Sequence, residues 1–183
     1  MSRQRQWALL CIGVWLTGTI ALAVVVTGNF YAIDRLLAHS PNPAFREAIE
    51  KLGPGFGHDL LQYLSAEMSR LYLQWWNLLQ MLLASLALYF LRPLGQGNRA
   101  GWYVVGMFSV TLFLTLVLTP PMVRIGRDLD FVPRDPVPHD LRTLGLLNAA
   151  YSVFTLVNLI LGALTIRELR SDGEPVEEGA SHG

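Results

Sequence analysis

Long apolar runs alternate with polar segments along this chain of 183 residues. Four runs hold no Asp, Glu, Lys, Arg or His, and they cover residues 7–28, 71–91, 101–119 and 144–166. A helix needs about 20 apolar residues to cross a hydrocarbon core of roughly 30 Å, so each run is long enough to span a membrane. The pattern predicts an all-α fold, a bundle of four transmembrane helices.

The segment between the first two spans, residues 29–70, is too long for a plain connection and is expected to contain short amphipathic helices. Asn42 followed by Pro43 is typical of a helix start, and the glycine-rich stretch 53–57 is typical of a break. The next stretch keeps its apolar residues at helical spacing, so we predict one continuous helix from about His58 to Leu91.

The second long connection follows the third span. Pro120 and Pro121 are expected to interrupt that helix, and Asp140 is expected to cap the next one. We interpret residues 1–170 as a single integral membrane domain and residues 171–183 as an acidic, flexible tail. The N-terminal run resembles a signal peptide, but it is longer than the apolar region of most signal peptides, so we expect it to be retained as a helix.

Arginines predict the orientation in the membrane. Basic residues flank the spans closely at both termini and in the short second connection: Arg3, Arg5, Arg92, Arg99, Arg167 and Arg170. On the other side the basic residues are spread over two longer segments among many acids. Lys and Arg near span ends favour the cytoplasmic side, so we expect an inner (plasma) membrane protein with both termini in the cytoplasm.

Composition excludes several function classes. The hydrophobic fraction is 52%, the charged fraction is 15% and the formal net charge is zero, which argues against nucleic acid as a partner. The single cysteine, Cys11, excludes an internal disulfide. His39, His58 and His139 lack the spacing of metal ligands, and no nucleophile with a base can be named. We therefore expect no catalytic residue, metal or cofactor.

The polar residues inside the spans are amides and hydroxyls, and they cluster on one side of each helix. The candidates for the bundle interior are Asn77, Gln80, Asn148, Ser152, Thr155 and Asn158. They either bond one helix to another or line a polar cavity for a small molecule. The sequence leaves both interpretations open.

A second candidate group lies at the outer membrane surface. Glu67 is one turn before the second span, at the depth where the third helix leaves the membrane. A partly desolvated carboxylate at this depth needs a basic partner. We expect Glu67 to pair with Arg70, Arg124 or Arg127, in a structural role that joins the two outward segments.

Three stretches resemble a known family, the DUF4149 or transmembrane protein 205-like membrane proteins. They are residues 66–72 (AEMSRLY), 118–127 (LTPPMVRIGR) and 141–148 (LRTLGLLN). The resemblance implies a multi-pass membrane protein but no settled activity. Many relatives have a His, followed three residues later by Ser, where this chain has Leu144 and Leu147, so no function of that histidine carries over.

Two functional hypotheses follow. The first is a non-catalytic structural or accessory component, in contact with membrane lipids and with other subunits of a larger complex. The alternative is a small transporter, or a protein that binds a lipid or small molecule in the amide-lined interior. They differ in whether the interior amides close on each other or surround a cavity.

Overall fold

The computed structural model describes residues 2–39, 42–94, 99–132 and 137–171, and these residues fold into helices without any strand. The helices are α1 (Arg3–His39), α2 (Pro43–Leu52), α3 (Pro54–Leu91), α4 (Arg99–Phe113), α5 (Thr119–Asp128) and α6 (His139–Ser171). A 3₁₀ turn, Arg92–Leu94, follows α3, and a π-helical turn, Leu114–Leu118, joins α4 to α5. The predicted all-α fold is confirmed for these residues. The tail predicted beyond Ser171 lies outside them.

Three helical segments are long and apolar enough to cross a membrane: α1, the continuous segment Arg99–Asp128 and α6. With 38 residues, α3 is the longest helix of the described chain. It is not among the three because the amides of Gln74, Asn77 and Gln80 interrupt its apolar sequence. The structure is therefore that of a helical protein with three candidate membrane spans.

The hydrophobic core cluster lies in the half of the bundle where α1 begins and α6 ends, which we call the terminal end. Trp7 of α1 stacks on Phe90 of α3, with ring centroids 6.2 Å apart. Trp15, Met107 and Leu169 are fully buried in the same apolar cluster. The other end, which carries α2 and the connection from α5 to α6, is called the loop end. The fold thus brings both long connections of the sequence to one end of the bundle.

The first connection is shorter than the sequence suggested. The first helix does not stop near residue 28, because α1 continues without a break to His39. Asn42 caps α2, its Oδ1 accepting bonds from the N–H groups of Ala44 (3.0 Å) and Phe45 (3.4 Å). The break lies at Gly53, whose φ of 85° suits glycine. The prediction of a continuous helix from His58 to Leu91 is confirmed, although α3 begins earlier, at Pro54.

Pro120 and Pro121 do not interrupt the third long helix, contrary to expectation. A π-helical turn precedes them, in which the N–H of Thr119 bonds to the carbonyl of Leu114. The prolines then fall in the first turn of α5, where a missing N–H is tolerated. The chain stays helical to Asp128. Asp140 likewise lies in the first turn of α6 instead of capping it, since that helix begins at His139.

Candidate functional site

A cleft lies between α1 and α6 in the loop half of the bundle. The two helices are in contact nearer the terminal end, where a Cβ on Gly162 would come within 2.6 Å of Leu16 Cδ2. Towards the loop end the cleft holds two adjacent cavities whose walls share Val26, Leu73 and Tyr151. The deep cavity measures about 180 Å³ and the loop-side cavity about 330 Å³. Together they reach the size of ordinary small-molecule sites.

The cleft opens on the side of the bundle. Ala23 and Thr27 of α1 and Asn148 of α6 form part of its walls and are exposed. Most of the other wall residues are apolar, and a few polar side chains are placed among them. This combination is typical of pockets that bind ligands.

Gln80 anchors the wall that α3 contributes to the deep cavity. In the amide orientation that satisfies both of its polar atoms, its carbonyl oxygen accepts bonds from the indole N–H groups of Trp15 (2.8 Å) and Trp76 (2.9 Å). Thr19, which lines the same cavity from α1, donates its hydroxyl to the Trp15 carbonyl at 2.8 Å. Two tryptophans from different helices thus fix one buried amide.

Asn77 lies just behind the cleft and connects three helices. It is fully buried, and its Oδ1 accepts a bond from the Tyr151 hydroxyl of α6 at 2.9 Å. Its Nδ2 donates to Thr119 Oγ1 at 3.2 Å, and Thr119 Oγ1 donates to the Leu114 carbonyl at 2.8 Å. The chain of bonds from Tyr151 to Leu114 ties α3 and α6 to the π-helical turn and gives the Leu114 carbonyl a second donor besides the Thr119 N–H.

Asn158 of α6 is only half satisfied. Its Nδ2 donates to Thr111 Oγ1 of α4 at 3.0 Å, but its Oδ1 is buried and has no hydrogen-bond partner among the described residues. Asn158 is 2% exposed and lines the deep cavity. Buried polar atoms are almost always paired, so an unpaired acceptor on a cavity wall is unusual.

The six interior candidates take different places. Gln80, Thr155 and Asn158 line the deep cavity, and Asn148 lines the loop-side cavity. Asn77 bonds helix to helix behind them. Ser152 lies outside the cleft lining, exposed, and its hydroxyl donates to the carbonyl of Asn148 in its own helix at 2.9 Å. The interior amides therefore both join helices and surround a cavity.

A cluster of charges closes the loop end of the cleft, formed by Glu67, Arg70, Arg127 and Asp130. Glu67 accepts bonds from Arg70 Nη1 at 3.0 Å and from Arg127 Nε at 2.8 Å. Arg70 also donates to both carboxylate oxygens of Asp130. Arg124 is exposed and makes no ion pair within the described part of the chain. We call Glu67, Arg70, Arg127 and Asp130 the loop-end ion cluster.

The ion cluster shifts the pKa of two of its members, both outside the predicted spans. The hydrogen bond from Arg127 is the main cause that lowers the Glu67 pKa, and Arg70 adds to it against the effect of burial. Burial works against the charge of Arg70, but its bonds to Asp130 and Glu67 outweigh that effect and raise its pKa. Both groups are thus charged at neutral pH.

Two backbone features position the cluster. Gly126 lets the Arg70 side chain lie against α5, because a Cβ there would come within 2.9 Å of Arg70 Nη2. Phe131 adopts a φ of 63°, which is costly for a bulky residue. Its ring packs on Tyr63 and Phe56 of α3, at centroid distances of 5.3 and 6.3 Å. These ring contacts hold the turn that contains Asp130 against α3.

The histidines do not gather into one site in the described structure. His58 lies 3.7 Å from carboxylate oxygens of Asp34 and of Asp59, while His139 contacts Asp140 at the start of α6. His39 lies in the last turn of α1. No group of three metal-ligating side chains occurs among the described residues.

Sequence reasoning missed three residues, of which Tyr151 lines the cleft and the other two bond to residues of its lining. Tyr151 and Trp15 are aromatic residues within apolar runs, which gave no sign that their polar atoms reach buried amides. Asp130 accepts both of its bonds from Arg70, 60 residues away in sequence, so no local pattern pointed to the pair. Comparisons with protein-family models, with curated proteins and with solved structures found no match.

Proposed function

We propose that this chain is a four-pass membrane protein that binds a lipid-like, amphipathic molecule in the cleft between α1 and α6. The observation that carries the proposal is the cleft itself. It opens on the side of the bundle, has largely apolar walls and ends at buried amides. A molecule that enters from the bilayer needs no aqueous path to reach it.

The four-pass arrangement rests on α3. This helix packs along α1 and α4, and its polar residues Asn77 and Gln80 are buried inside the bundle. The surface of its proposed span is mostly apolar, with Leu78, Leu82 and Leu86 exposed beside the polar residues Gln74 and Ser85. A helix with that distribution is suited to lipid on one side and to partner helices on the other. We further propose that the terminal end faces the cytoplasm, as the arginine distribution favours.

The short helix α2 fits the same arrangement. Its apolar residues Phe45, Ala48, Ile49 and Leu52 recur at helical spacing opposite charged ones, and none of its residues is buried. Such a helix is suited to the boundary between lipid headgroups and acyl chains. We propose that it lies there, beside the loop-end opening.

The hypothesis of a purely structural subunit requires interior amides that satisfy one another. Asn77 meets that requirement, but Asn158 keeps an unpaired acceptor at the wall of a cavity. Binding therefore accounts for one more observation than a packing role does. Membership of the family that the sequence resembles stays a prediction and supplies no activity.

The test is to extract the protein with its surrounding bilayer in a polymer disc and to identify bound molecules by native mass spectrometry. Ala23→Trp would fill the deep cavity from α1, whereas Ala21→Trp places the same ring at an exposed position outside the cleft lining. We expect wild type and Ala21→Trp to retain one lipid-like molecule and Ala23→Trp to lose it. Equal retention in all three, or a protein partner and no small molecule, would favour the structural subunit.

A further inference from the structure

The unpaired Asn158 Oδ1 indicates what the deep cavity binds. This oxygen is a buried hydrogen-bond acceptor, and its residue is 2% exposed and lines a cavity of about 180 Å³. The other end of the amide, Nδ2, donates to Thr111 Oγ1 at 3.0 Å. A ligand that enters the cavity can remove the cost of this unpaired group only if it brings a donor.

The hydroxyls around Asn158 offer further acceptors. Thr155 donates its hydrogen to the Tyr151 carbonyl (2.9 Å), Tyr151 donates to Asn77 (2.9 Å) and Thr19 donates to Trp15 (2.8 Å). Each hydroxyl hydrogen is used within the protein, so lone pairs remain for the cavity. Asn158 Nδ2 carries a second N–H besides the one that bonds to Thr111, so the amide has a donor as well as an acceptor. A group that both donates and accepts therefore matches this set better than a carbonyl or an ether.

The charge of the lining residues further limits the class of ligand that fits the deep cavity. The residues that line the deep cavity include no Asp, Glu, Lys, Arg or His. An ammonium group would donate to Asn158 as well, but it would be a buried charge without a counter-ion. A neutral hydroxyl supplies the donor without that cost.

We infer that the deep cavity binds the hydroxyl end of a neutral amphipathic alcohol, with the hydroxyl donating to Asn158 Oδ1. The inference rests on the proposed binding function and specifies its ligand class. The apolar body lies along the cleft between α1 and α6. The alcohol is either a free long-chain alcohol or the free hydroxyl of a neutral membrane lipid such as a diacylglycerol.

The experiment uses the full-length protein in phosphatidylcholine nanodiscs and three photoreactive probes. They are a long-chain alcohol with a diazirine, its methyl ether, and a diacylglycerol with the same diazirine. Cross-linked peptides are mapped by mass spectrometry. We expect the alcohol to label cleft peptides about tenfold more than the ether, because only the alcohol donates a hydrogen bond. Stronger labelling by diacylglycerol than by the free alcohol would identify a membrane lipid as the source, and the reverse a free alcohol.

Two variants isolate the acceptor. Asn158→Leu removes Oδ1, whereas Thr111→Val breaks the same bond between Asn158 and Thr111 but leaves Oδ1 in place. We expect the alcohol and the ether to label the Asn158→Leu variant equally. The alcohol should still label the Thr111→Val variant more strongly than the ether does.

The outcomes separate the two proposals. If no probe labels the cleft, the binding function itself is wrong. If alcohol and ether label the wild-type cleft equally, the binding function stands, but the inference that Asn158 recognises a hydroxyl is overturned. A water molecule bonded to Asn158 would give this result. This comparison within the wild type decides the matter even if Asn158→Leu fails to fold.

Discussion

Arg70 of α3 and Asp130, just after α5, form a two-pronged ion pair across 60 residues of sequence. Arg70 Nη1 lies 2.8 Å from Asp130 Oδ2, and Nη2 lies 3.1 Å from Oδ1. Their side chains are 13% and 16% exposed, so water screens the pair weakly. Parallel bonds of this kind fix orientation as well as distance. The pair therefore holds the end of the α4–α5 segment against α3 at the loop end of the cleft.

Removing this arginine should destabilise the protein strongly. Arg70→Ala leaves Asp130 partly buried without its partner, which we expect to lower the free energy of unfolding by about 2–4 kcal/mol. Arg124→Ala removes an exposed arginine one turn before Arg127 and should change the free energy of unfolding by less than about 0.5 kcal/mol. Unfolding in mixed micelles, followed by tryptophan fluorescence, measures both. Similar losses in the two variants would mean that the ion cluster has no stabilising role.

Substitution by alanine should change the free energy of unfolding in different directions at two glycines of α1. A Cβ at Gly18 would overlap the Trp76 ring, whereas one at Gly13 would meet nothing within 4 Å. We expect Gly18→Ala to cost about 1–3 kcal/mol through overpacking. Gly13→Ala should be neutral or stabilising by up to about 1 kcal/mol, since alanine favours helix. The same unfolding assay compares them. A stable Gly18→Ala variant would show that Trp76 does not pack against α1.

The lowered pKa of Glu67 predicts a loss of stability in acid. A carboxyl whose pKa is lower in the folded state stabilises the protein above its unfolded pKa, about 4.3 for glutamate. That contribution is lost as the pH falls through the folded pKa. Glu67→Gln should therefore lower the thermal unfolding midpoint at pH 7, and this difference from the wild type should disappear as the pH falls below the folded pKa of Glu67. Glu47→Gln, at an exposed position on α2, serves as control, and an equal pH dependence in both variants would contradict the prediction.

The sequence predicted the long helices and the pair of Glu67 with Arg70 because both depend on local patterns, whereas Arg127, 60 residues away, was expected only from its membrane depth. Apolar runs set the helices, and Glu67 and Arg70 are one turn apart on the same helix. The start of α2 was readable for the same reason, since Asn42 and Pro43 act on the residues next to them. Asp130 could not be assigned to Arg70, because their contact depends on how α3 and α5 pack.

The path of the chain through Pro120 and Pro121 was predicted wrongly for a physical reason. Proline usually ends a helix because it lacks an N–H. Here the π-helical turn places both prolines in the first turn of α5, where a missing N–H is tolerated. Asn77 holds this turn from another helix through the Thr119 hydroxyl, which donates to the Leu114 carbonyl. A compensation supplied by tertiary contacts leaves no local signal in the sequence. The cleft could not be predicted for the same reason, since amides that bond to one another and amides that line a cavity look alike in sequence.

Labelling of single cysteines tests the orientation of the bundle. We expect an impermeant thiol reagent to modify a Ser40→Cys variant in intact cells, because Ser40 lies between α1 and α2 on the proposed outer side. A Ser181→Cys variant in the tail should react only after lysis. The native Cys11 is buried, and a Cys11→Ala background removes it from the comparison. Modification of Ser181→Cys in intact cells, with none at Ser40→Cys, would reverse the proposed topology.

The bonds from Tyr151 through Asn77 to Thr119 should behave as one unit. Thr119→Val removes the bond to the Leu114 carbonyl and the acceptor for Asn77, and we expect a cost of about 1–2 kcal/mol. Tyr151→Phe removes only the bond to Asn77, which should cost about 0.6–1.7 kcal/mol. Ser109→Ala is the control, because the Ser109 hydroxyl bonds to Val105 of its own helix. Since Asn77 links both sites, the double variant should lose less than the sum of the two single losses. Strict additivity in the unfolding assay would show that the π-helical turn is stabilised independently of α6.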